Sequence, residues 1–390
     1  MTRIHDAAII GGGLVGGSLA LALQRRGLDV ALIEPQPPPA PPPAETWDSR
    51  IYAISPGNAE FLHELGVWDR LDARRTQRVE TMAIFGDQPA GRLAFSAYDA
   101  GLRELAWIVE SGAMQRALAA AIAAAGGVSL HCPAQAATLQ HDAACARVAL
   151  ADGTVVAAQL VVGTDGRESW VRRAAGITAQ VSAYDQIGVV ANFETEKPHG
   201  ARALQWFRED GVLALLPLPG NRVSMVWSAA EAHARGLLEL DAPALADAVA
   251  AASAQVLGGL RLLTPAAGFP LHLARIDRLI APRVVLAGDA AHHVHPLAGQ
   301  GVNLGFRDVR TLATVLAGRA PRQDCGEMSL LRRYERARAE DIVATGLSAD
   351  ALQKLFGARP VWVSGVRNFG LGLVNRLPFL KNRLIRHAAA

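Results

Sequence analysis

The stretch Asp6-Ala7-Ala8-Ile9-Ile10-Gly11-Gly12-Gly13-Leu14-Val15-Gly16 decides the fold. Its apolar run suits a strand buried on both faces, and a glycine-rich turn follows at once. Beyond the turn, Leu19 to Arg26 has a helical pattern closed by Gly27, and Val30 to Ile33 is a second apolar run ending at Glu34. Strand, G-x-G-x-x-G turn, helix, strand and an acid 18 residues after the last glycine form a βαβ unit built for a dinucleotide. Gly11 makes the turn, Gly13 lets backbone N–H groups approach a pyrophosphate, and Gly16 lets the helix meet the strand. Leu14 and Val15 open the helix, whose N-terminus supplies the partial positive charge that phosphates need. Glu34 is placed to accept hydrogen bonds from ribose hydroxyls.

Outward from this unit, residues 35–43 hold seven prolines in nine positions, which excludes helix or central strand and predicts a polyproline-like loop. Asp48-Ser49-Arg50 then leads into the apolar Ile51 to Ser55 and a helix through Leu65. A helix is expected over Met114 to Ala125, with strands over Val128–Cys132 and Val155–Val162. Two regions, 80–108 and 181–272, read differently and carry strand-like runs at Val189–Phe193, Val212–Leu216 and Arg222–Trp227. The expected fold is therefore α/β, with a Rossmann-like lobe, a second lobe on a mixed or antiparallel sheet, and a C-terminal helical region. Its lobes are discontinuous: 1–79, 109–180 and 273–350 for the nucleotide, 80–108 and 181–272 for the substrate, and 351–390 as a basic tail.

Two more strand-end motifs accompany the first. Leu160-Val161-Val162-Gly163-Thr164-Asp165-Gly166 is a strand closing on an Asp-Gly turn. Val284 to Ala287 is a strand closing on Gly288-Asp289-Ala290-Ala291-His292, and Pro296-Leu297-Ala298-Gly299-Gln300-Gly301-Val302-Asn303-Leu304 then opens a helix to about Leu316. Asp289 at a strand end suits a sugar-like hydroxyl, and the Gly299–Gly301 turn offers backbone N–H donors at a helix N-terminus. His292, His293 and His295 invite a base or a metal reading, against plain packing or helix-end hydrogen bonding. No further ligands of metal-site spacing accompany them, so no metal is expected.

These motifs together resemble the class A flavin monooxygenases, similar in fold to p-hydroxybenzoate hydroxylase. The run Pro296 to Leu304 followed by Arg307-Asp308-Val309 is similar to the ubiquinone-biosynthesis hydroxylase branch. So are Gly66-Val67-Trp68-Asp69, Trp107-Ile108-Val109-Glu110, Leu216-Pro217-Leu218 and Ser224-Met225-Val226-Trp227. The resemblance spans nearly the whole chain. It implies bound FAD, NAD(P)H as electron donor, O₂, and hydroxylation of a polyprenylated phenol or quinol through a flavin C4a-hydroperoxide. Carried over residue by residue, it implies FAD contacts at Gly11, Gly13, Leu14, Val15, Gly16, Glu34, Arg50, Asp165, Gly288, Asp289, Gly301, Val302 and Asn303, with Gln115 or Arg116 as a weaker polar match. The sequence identifies no catalytic base. Tyr184, Trp206 and Trp227 are candidates for a ring pocket or for plain core. The single G-x-G-x-x-G implies that the reductant binds transiently near the flavin or that electrons come from a partner, and the first is expected.

Composition fits this reading. The 390 residues are 51% hydrophobic and 19% charged, which suits a large globular core. Three cysteines without CxxC spacing support neither a disulfide framework nor a zinc ribbon, and a reducing cytosol is the expected compartment. No run approaches a membrane span. The last 40 residues contain seven Lys and Arg and no acid, while the preceding 350 carry 32 against 36 acids. A basic end mixed with Leu, Phe and Ile suits an anionic membrane surface better than nucleic acid, against the plain reading of a solvated C-terminal helix; peripheral attachment to the inner membrane is expected, with a quinone-biosynthesis complex as a further partner. The competing readings are a hydroxylase of a small soluble phenol, a reductase of prenyl double bonds, and a non-catalytic flavoprotein scaffold.

Overall fold

The computed structural model describes residues 3–43, 46–86, 91–292 and 301–357, without the side chains of 183, 184 and 344–357. The chain runs β1 (Ile4–Ile10), α1 (Leu14–Gln24), β2 (Val30–Ile33), β3 (Ile51–Ile54), α2 (Pro56–Glu64), β4 (Gln77–Val79), β5 (Thr81–Phe85), β6 (Arg92–Ser96), β7 (Ala106–Glu110) and α3 (Ser111–Ala125). It continues β8 (Val128–His131), β9 (Ala136–His141), β10 (Ala146–Leu150), β11 (Val155–Gly163), α4 (Trp170–Ala174), β12 (Ala179–Thr195), β13 (Arg202–Arg208), β14 (Gly211–Leu218) and β15 (Arg222–Ala230). Then come α5 (Glu231–Glu239), α6 (Ala242–Ala252), β16 (Leu260–Leu262), β17 (Ala267–Ile276), β18 (Ile280–Ala281), β19 (Val284–Leu286), α7 (Gly301–Ala317) and α8 (Met328–Gly357).

The first sheet has the order β18-β19-β11-β1-β2-β8, extended by the β9–β10 hairpin on β11. Pairings β1–β11, β1–β2, β2–β8 and β11–β19 are parallel, with Ile9 between Val162 and Leu32. A parallel sheet is covered on both faces, which is why Ala7–Ile9, Val30–Ile33 and Leu160–Val162 are apolar throughout and fully buried. Because these strands share one direction, the chain leaves β1, β2, β11 and β19 along a single edge. That edge is where open α/β sheets bind ligands.

The second sheet, β16-β12-β15-β14-β13-β5-β6 with β17 also on β12, is mostly antiparallel; β13–β5 is its parallel pair. Alternation gives it two unlike faces. Val189, Phe193, Leu213, Met225 and Trp227 pack with Leu237, Leu245 and Val249 of α5 and α6 in one core. Trp206 belongs to this core too, so Trp206 and Trp227 are core residues and not a ring pocket. Tyr184's side chain lies outside the described residues. The opposite face turns toward the first lobe, where Leu216, Ile51 and Ala53 pack on one small cluster of Val79, Ile108, Ala203 and Leu218. A small antiparallel sheet, β3-β7-β4, joins the lobes.

The proline-rich stretch has no regular structure. It lies against the start of α3, with Arg116 Nη1 donating to the Ala40 carbonyl at 3.4 Å. The α3 helix begins at Ser111, three residues before the apolar pattern shows it, because extended Glu110 at its N-cap starts it through Gly112. Residues 358–390, most of the basic tail, lie outside the described residues.

Candidate active site

Four strand ends build the site. At the first, Gly11 has a left-handed φ of +98°, and a Cβ there would come within 2.6 Å of the Thr164 carbonyl oxygen. A Cβ on Gly16 would lie 1.9 Å from the Gly11 oxygen, so only glycine lets α1 start against β1. Gly13 is different, because a Cβ there would meet nothing within 4 Å. It is the N-cap of α1, no side chain caps the helix, and its first turn has no acid. Among the described residues no side chain caps the N–H groups of Leu14, Val15 and Gly16 at this positive end of a helix, a donor set that fits an anionic phosphate.

Glu34 leaves β2 beside this turn. Its Oε2 accepts the Gly12 N–H at 2.5 Å and its Oε1 the Gln36 N–H at 2.9 Å. Each carboxylate oxygen keeps a lone pair for a hydroxyl. Asp165, at the end of β11, works inward: it accepts from Ser169 Oγ at 2.5 Å and Val171 N–H at 3.0 Å. It shapes the turn that abuts Gly11. Arg172, buried and not singled out by sequence, ties this turn to the next by donating to the Ala290 carbonyl at 3.1 Å and the Arg167 carbonyl at 2.8 Å.

At the end of β19, Gly288 has φ +62°, and a Cβ there would touch Val15 at 3.1 Å. A Cβ on Gly305 would lie 2.6 Å from the same Val15 side chain. Val15 is thus the point at which the first turn, the Gly288 turn and α7 meet. Among the described residues no donor engages the half-buried Asp289 carboxylate. Gly301 opens α7 with nothing within 4 Å of a Cβ position, and α7 has no acid in its first turn. Asn303 is occupied differently. Its Oδ1 accepts the Ser55 N–H and Asn58 Nδ2, each at 3.0 Å, and its Nδ2 donates to the Ala53 carbonyl at 2.8 Å. Its side chain staples α7 to β3 and α2, so what it and Val302 can offer a ligand is backbone. Residues 293–300, with His293, His295 and the Pro296–Gln300 run, lie outside the described residues.

Arg50 is carried on a clamped turn. Asp48 accepts the Arg50 N–H and the Gly112 N–H, each at 2.9 Å, while its own N–H donates to Glu110 at 2.6 Å. Glu110 is buried and paired with Arg75 at 2.6 Å, a contact that raises the Arg75 pKa. From the second sheet, Asn192 Nδ2 donates to the Asp48 carbonyl at 3.0 Å. The Arg50 guanidinium lies 5.5 Å from the Tyr52 ring centroid. Burial pushes the Tyr52 hydroxyl above its usual range; Arg50 and Ser111 oppose the shift, and Asp289 adds to it. Arg50, Tyr52, Ser111 and Asp289 thus share one neighbourhood, and Gln115 joins it through a 3.3 Å bond to Ser111 Oγ.

Behind the Gly288 turn stands a buried charge network that sequence reasoning missed. Asp308 of α7 is fully buried; its Oδ2 accepts the Gly288 N–H at 2.8 Å and His292 Nε2 at 2.6 Å, and its Oδ1 accepts Arg338 Nε at 2.6 Å. Arg338 and Arg307 both reach Asp341, at 2.7 and 2.9 Å. Burial alone would raise the Asp308 pKa, but His292, Arg338 and the Gly288 N–H together hold it below the usual carboxylate range. The signal was available: Asp308 lies four residues from both Leu304 and Leu312, a charge inside the buried stripe of a helix.

The facing sheet completes the site. The rows from Asn192–Ser224 to Gly188–Ser228 place Val190, Val226, Ala214 and Val212 on one half-exposed face. Its polar members are Asn192, Gln205, Ser224 and Ser228, and those rows contain no charge.

Over residues 5–345 the sequence matches the family described as “FAD binding domain”. The chain belongs to that family. FAD is its cofactor, and the glycine cradle and uncapped helix starts fit that group. This FAD-binding chain is 35% identical over 387 residues to the ubiquinone hydroxylase UbiL of Rhodospirillum rubrum, covering 99% of this chain and 90% of that protein. It is also 35% identical over 388 residues to the 3-demethoxyubiquinol 3-hydroxylase of Escherichia coli, covering 98% of each. Among solved structures it shares its fold with PqsL of Pseudomonas aeruginosa, described as a probable FAD-dependent monooxygenase, at TM-score 0.78 and 24% identity over 95% of this chain and 99% of that one.

Proposed function

We propose that this chain is an FAD-dependent monooxygenase that hydroxylates the aromatic ring of a polyprenylated phenol or quinol in ubiquinone biosynthesis. Balanced, the reaction is Ar–H + O₂ + NAD(P)H + H⁺ → Ar–OH + H₂O + NAD(P)⁺. The observation that carries the reading is a pair of unlike surfaces. On one side the donor-rich strand ends meet at Val15; on the other lies an apolar sheet face free of charge in the rows described above.

FAD supplies the electron transfer and oxygen activation when bound. Residues 1–79, 109–180 and 273–350 hold it, and 80–108 with 181–272 hold the ring. The backbone N–H groups of Leu14, Val15 and Gly16, with Gly11 and Gly13 making room, take the diphosphate. Glu34 accepts from the adenosine ribose, and Asp165 keeps the adjoining turn in shape. Asp289 and Arg50 lie at the chain's linking portion. The α7 start at Gly301, Val302 and Asn303 offers N–H donors to the negative edge of the ring system, and Gln115 adds a polar contact. Val190, Val212, Ala214 and Val226 exclude water from the ring and orient it. A small ionised phenol would want a charged partner, and these rows offer none, which favours an apolar substrate.

A polyprenyl tail resides in a bilayer, since each buried CH₂ contributes about 0.8 kcal/mol. The basic C-terminal 40 residues suit docking on an anionic leaflet, at about 1 kcal/mol per engaged Lys or Arg. No helix of the described residues is long and apolar enough to cross a membrane. Loss of binding to anionic liposomes on removing residues after Arg376 tests the docking. The function is tested by mass spectrometry of quinone lipids from a strain lacking the gene. Accumulation of a prenylated ring one hydroxyl short, restored by the gene, is expected; an unchanged profile would favour a small soluble phenol instead.

A further inference from the structure

On the sheet face that turns toward the first lobe, one side chain has its whole hydrogen-bonding capacity unspent. Gln205 of β13 is 5% exposed, and among the described residues its amide meets neither a donor nor an acceptor. The pleat fixes its direction. Leu204 and Trp206 on either side enter the helix-covered core, so Gln205 points to the other face. There it stands in one cross-strand row with Ile84, Ala214, Val226 and Val190, all of them half-buried. Two residues further along the strands, Leu216 packs on the cluster that holds Ile51 and Ile108, and Asn192 Nδ2 donates to the Asp48 carbonyl at 3.0 Å. Gln205 is thus one row, about 7 Å, from the contact with the nucleotide-binding lobe.

The other amide and a hydroxyl of this face differ from it. Asn192 has spent its Nδ2, and its Oδ1 and the Ser224 Oγ are sealed in the packing, whereas the Gln205 amide is not. Polar groups so nearly buried are almost always paired, and an unpaired amide costs stability. A bound molecule that reaches the row gives it a partner. An amide carries a donor and an acceptor and no charge, so no tautomer or protonation state has to be assumed. A carboxylate or phosphate calls for Arg or Lys, and the row holds neither. An alkyl tail offers an amide nothing. A neutral ring hydroxyl, itself donor and acceptor, matches both of its atoms.

We propose that Gln205 is a specificity-determining residue whose amide binds a hydroxyl on the aromatic ring of the substrate, fixing which edge of the ring faces the first lobe. The inference rests on the reading that this sheet face holds the ring of a phenol or quinol.

The test compares a short-tailed prenyl phenol with its methyl ether, in which a methyl group replaces the hydroxyl hydrogen. Binding of each to the FAD-loaded parent and to Gln205→Met is measured by calorimetric titration, beside thermal melting and FAD affinity. The parent is expected to bind the phenol about tenfold more tightly than the ether. Gln205→Met has a similar length and no amide, and should bind the two within about threefold of each other by losing affinity for the phenol. Its melting temperature should be unchanged or higher, because an unpaired polar group is gone, and its FAD affinity should equal the parent's. A merely structural amide would instead give a lower melting temperature with the phenol-to-ether ratio intact, and that result would overturn the inference. So would weaker FAD binding with the ratio intact, which would move the contact to the cofactor. Should Gln205→Met fail to fold, Gln205→Leu is read by the same ratio, and a parent that binds phenol and ether equally overturns the inference without any variant. Failure of the FAD-loaded parent to bind either aromatic would instead overturn the reading of this face as the ring site.

Discussion

The Gly11 turn and the Gly288 turn do the same geometric work by opposite means. Both place a left-handed glycine at the end of a parallel strand, at φ +98° and +62°, beside Val15 or its neighbours. The first is held by its own surroundings: Thr164 Oγ1 donates to the Ile10 and Gly11 carbonyls at 2.9 and 2.8 Å, and Glu34 accepts the Gly12 N–H. The second is held from behind by Asp308, which is itself held by His292 and by Arg338 of α8. One turn is a local motif whose parts can be read along the chain. The other is a tertiary construction, stable only while two distant helices hold a buried charge in balance.

The largest expected effect follows from that balance. Asp308→Asn takes from the buried Arg338 one of its two carboxylate partners, leaving Asp341 at 2.7 Å, and should lower apoprotein stability by about 3 kcal/mol, read as a shift in the urea midpoint. A change below about 1 kcal/mol would mean that the Gly288 turn is held as locally as the first. Gly16→Ala comes next. Its Cβ would lie 1.9 Å from the Gly11 oxygen, so a loss of about 1–3 kcal/mol is expected together with loss of FAD on purification. Gly13→Ala sharpens the contrast within one motif: with open space around the Cβ it should cost at most about 1 kcal/mol as an N-cap change, yet weaken FAD uptake. Equal stability losses at the two glycines would contradict the geometry.

Acid offers a smaller handle. The Asp308 carboxyl titrates below its unfolded value of 3.8. Its contribution to stability is therefore present above that value and is lost as pH falls through the folded one. The stability gap between the parent and Asp308→Asn should narrow below about pH 4, with no such narrowing for Gly16→Ala. The smallest effect concerns the facing sheet: Ala214→Leu should raise the apparent KM for the quinol about tenfold or less, while FAD affinity stays unchanged.

What could be read in the sequence divides along the same line. The βαβ unit, the Asp-Gly and Gly-Asp strand ends, and the helix from Gly301 are punctuated by residues whose backbone needs are local, so pattern and turn chemistry found them. The second lobe's strands were legible from their apolar runs, but not which face each residue would join; Trp206 and Trp227 went to the helix-covered core because register, not composition, decides that. Asp308, Arg338 and Arg172 were missed as a working set because their meaning lies in contacts 16 to 118 residues away along the chain. The start of α3 was misjudged by three residues because Ser111 and Gly112 carry no apolar period, and the helix there serves the Asp48 turn instead.

The most direct test of the central claim is to incubate the FAD-loaded protein with NAD(P)H, isotopically labelled O₂ and a short-tailed prenyl quinol lacking one ring hydroxyl, and to weigh the product. The account predicts a ring gaining one labelled oxygen atom, with NAD(P)H consumed in step. NAD(P)H consumption without labelled product, or no reaction with this substrate while a small soluble phenol is hydroxylated, would contradict it.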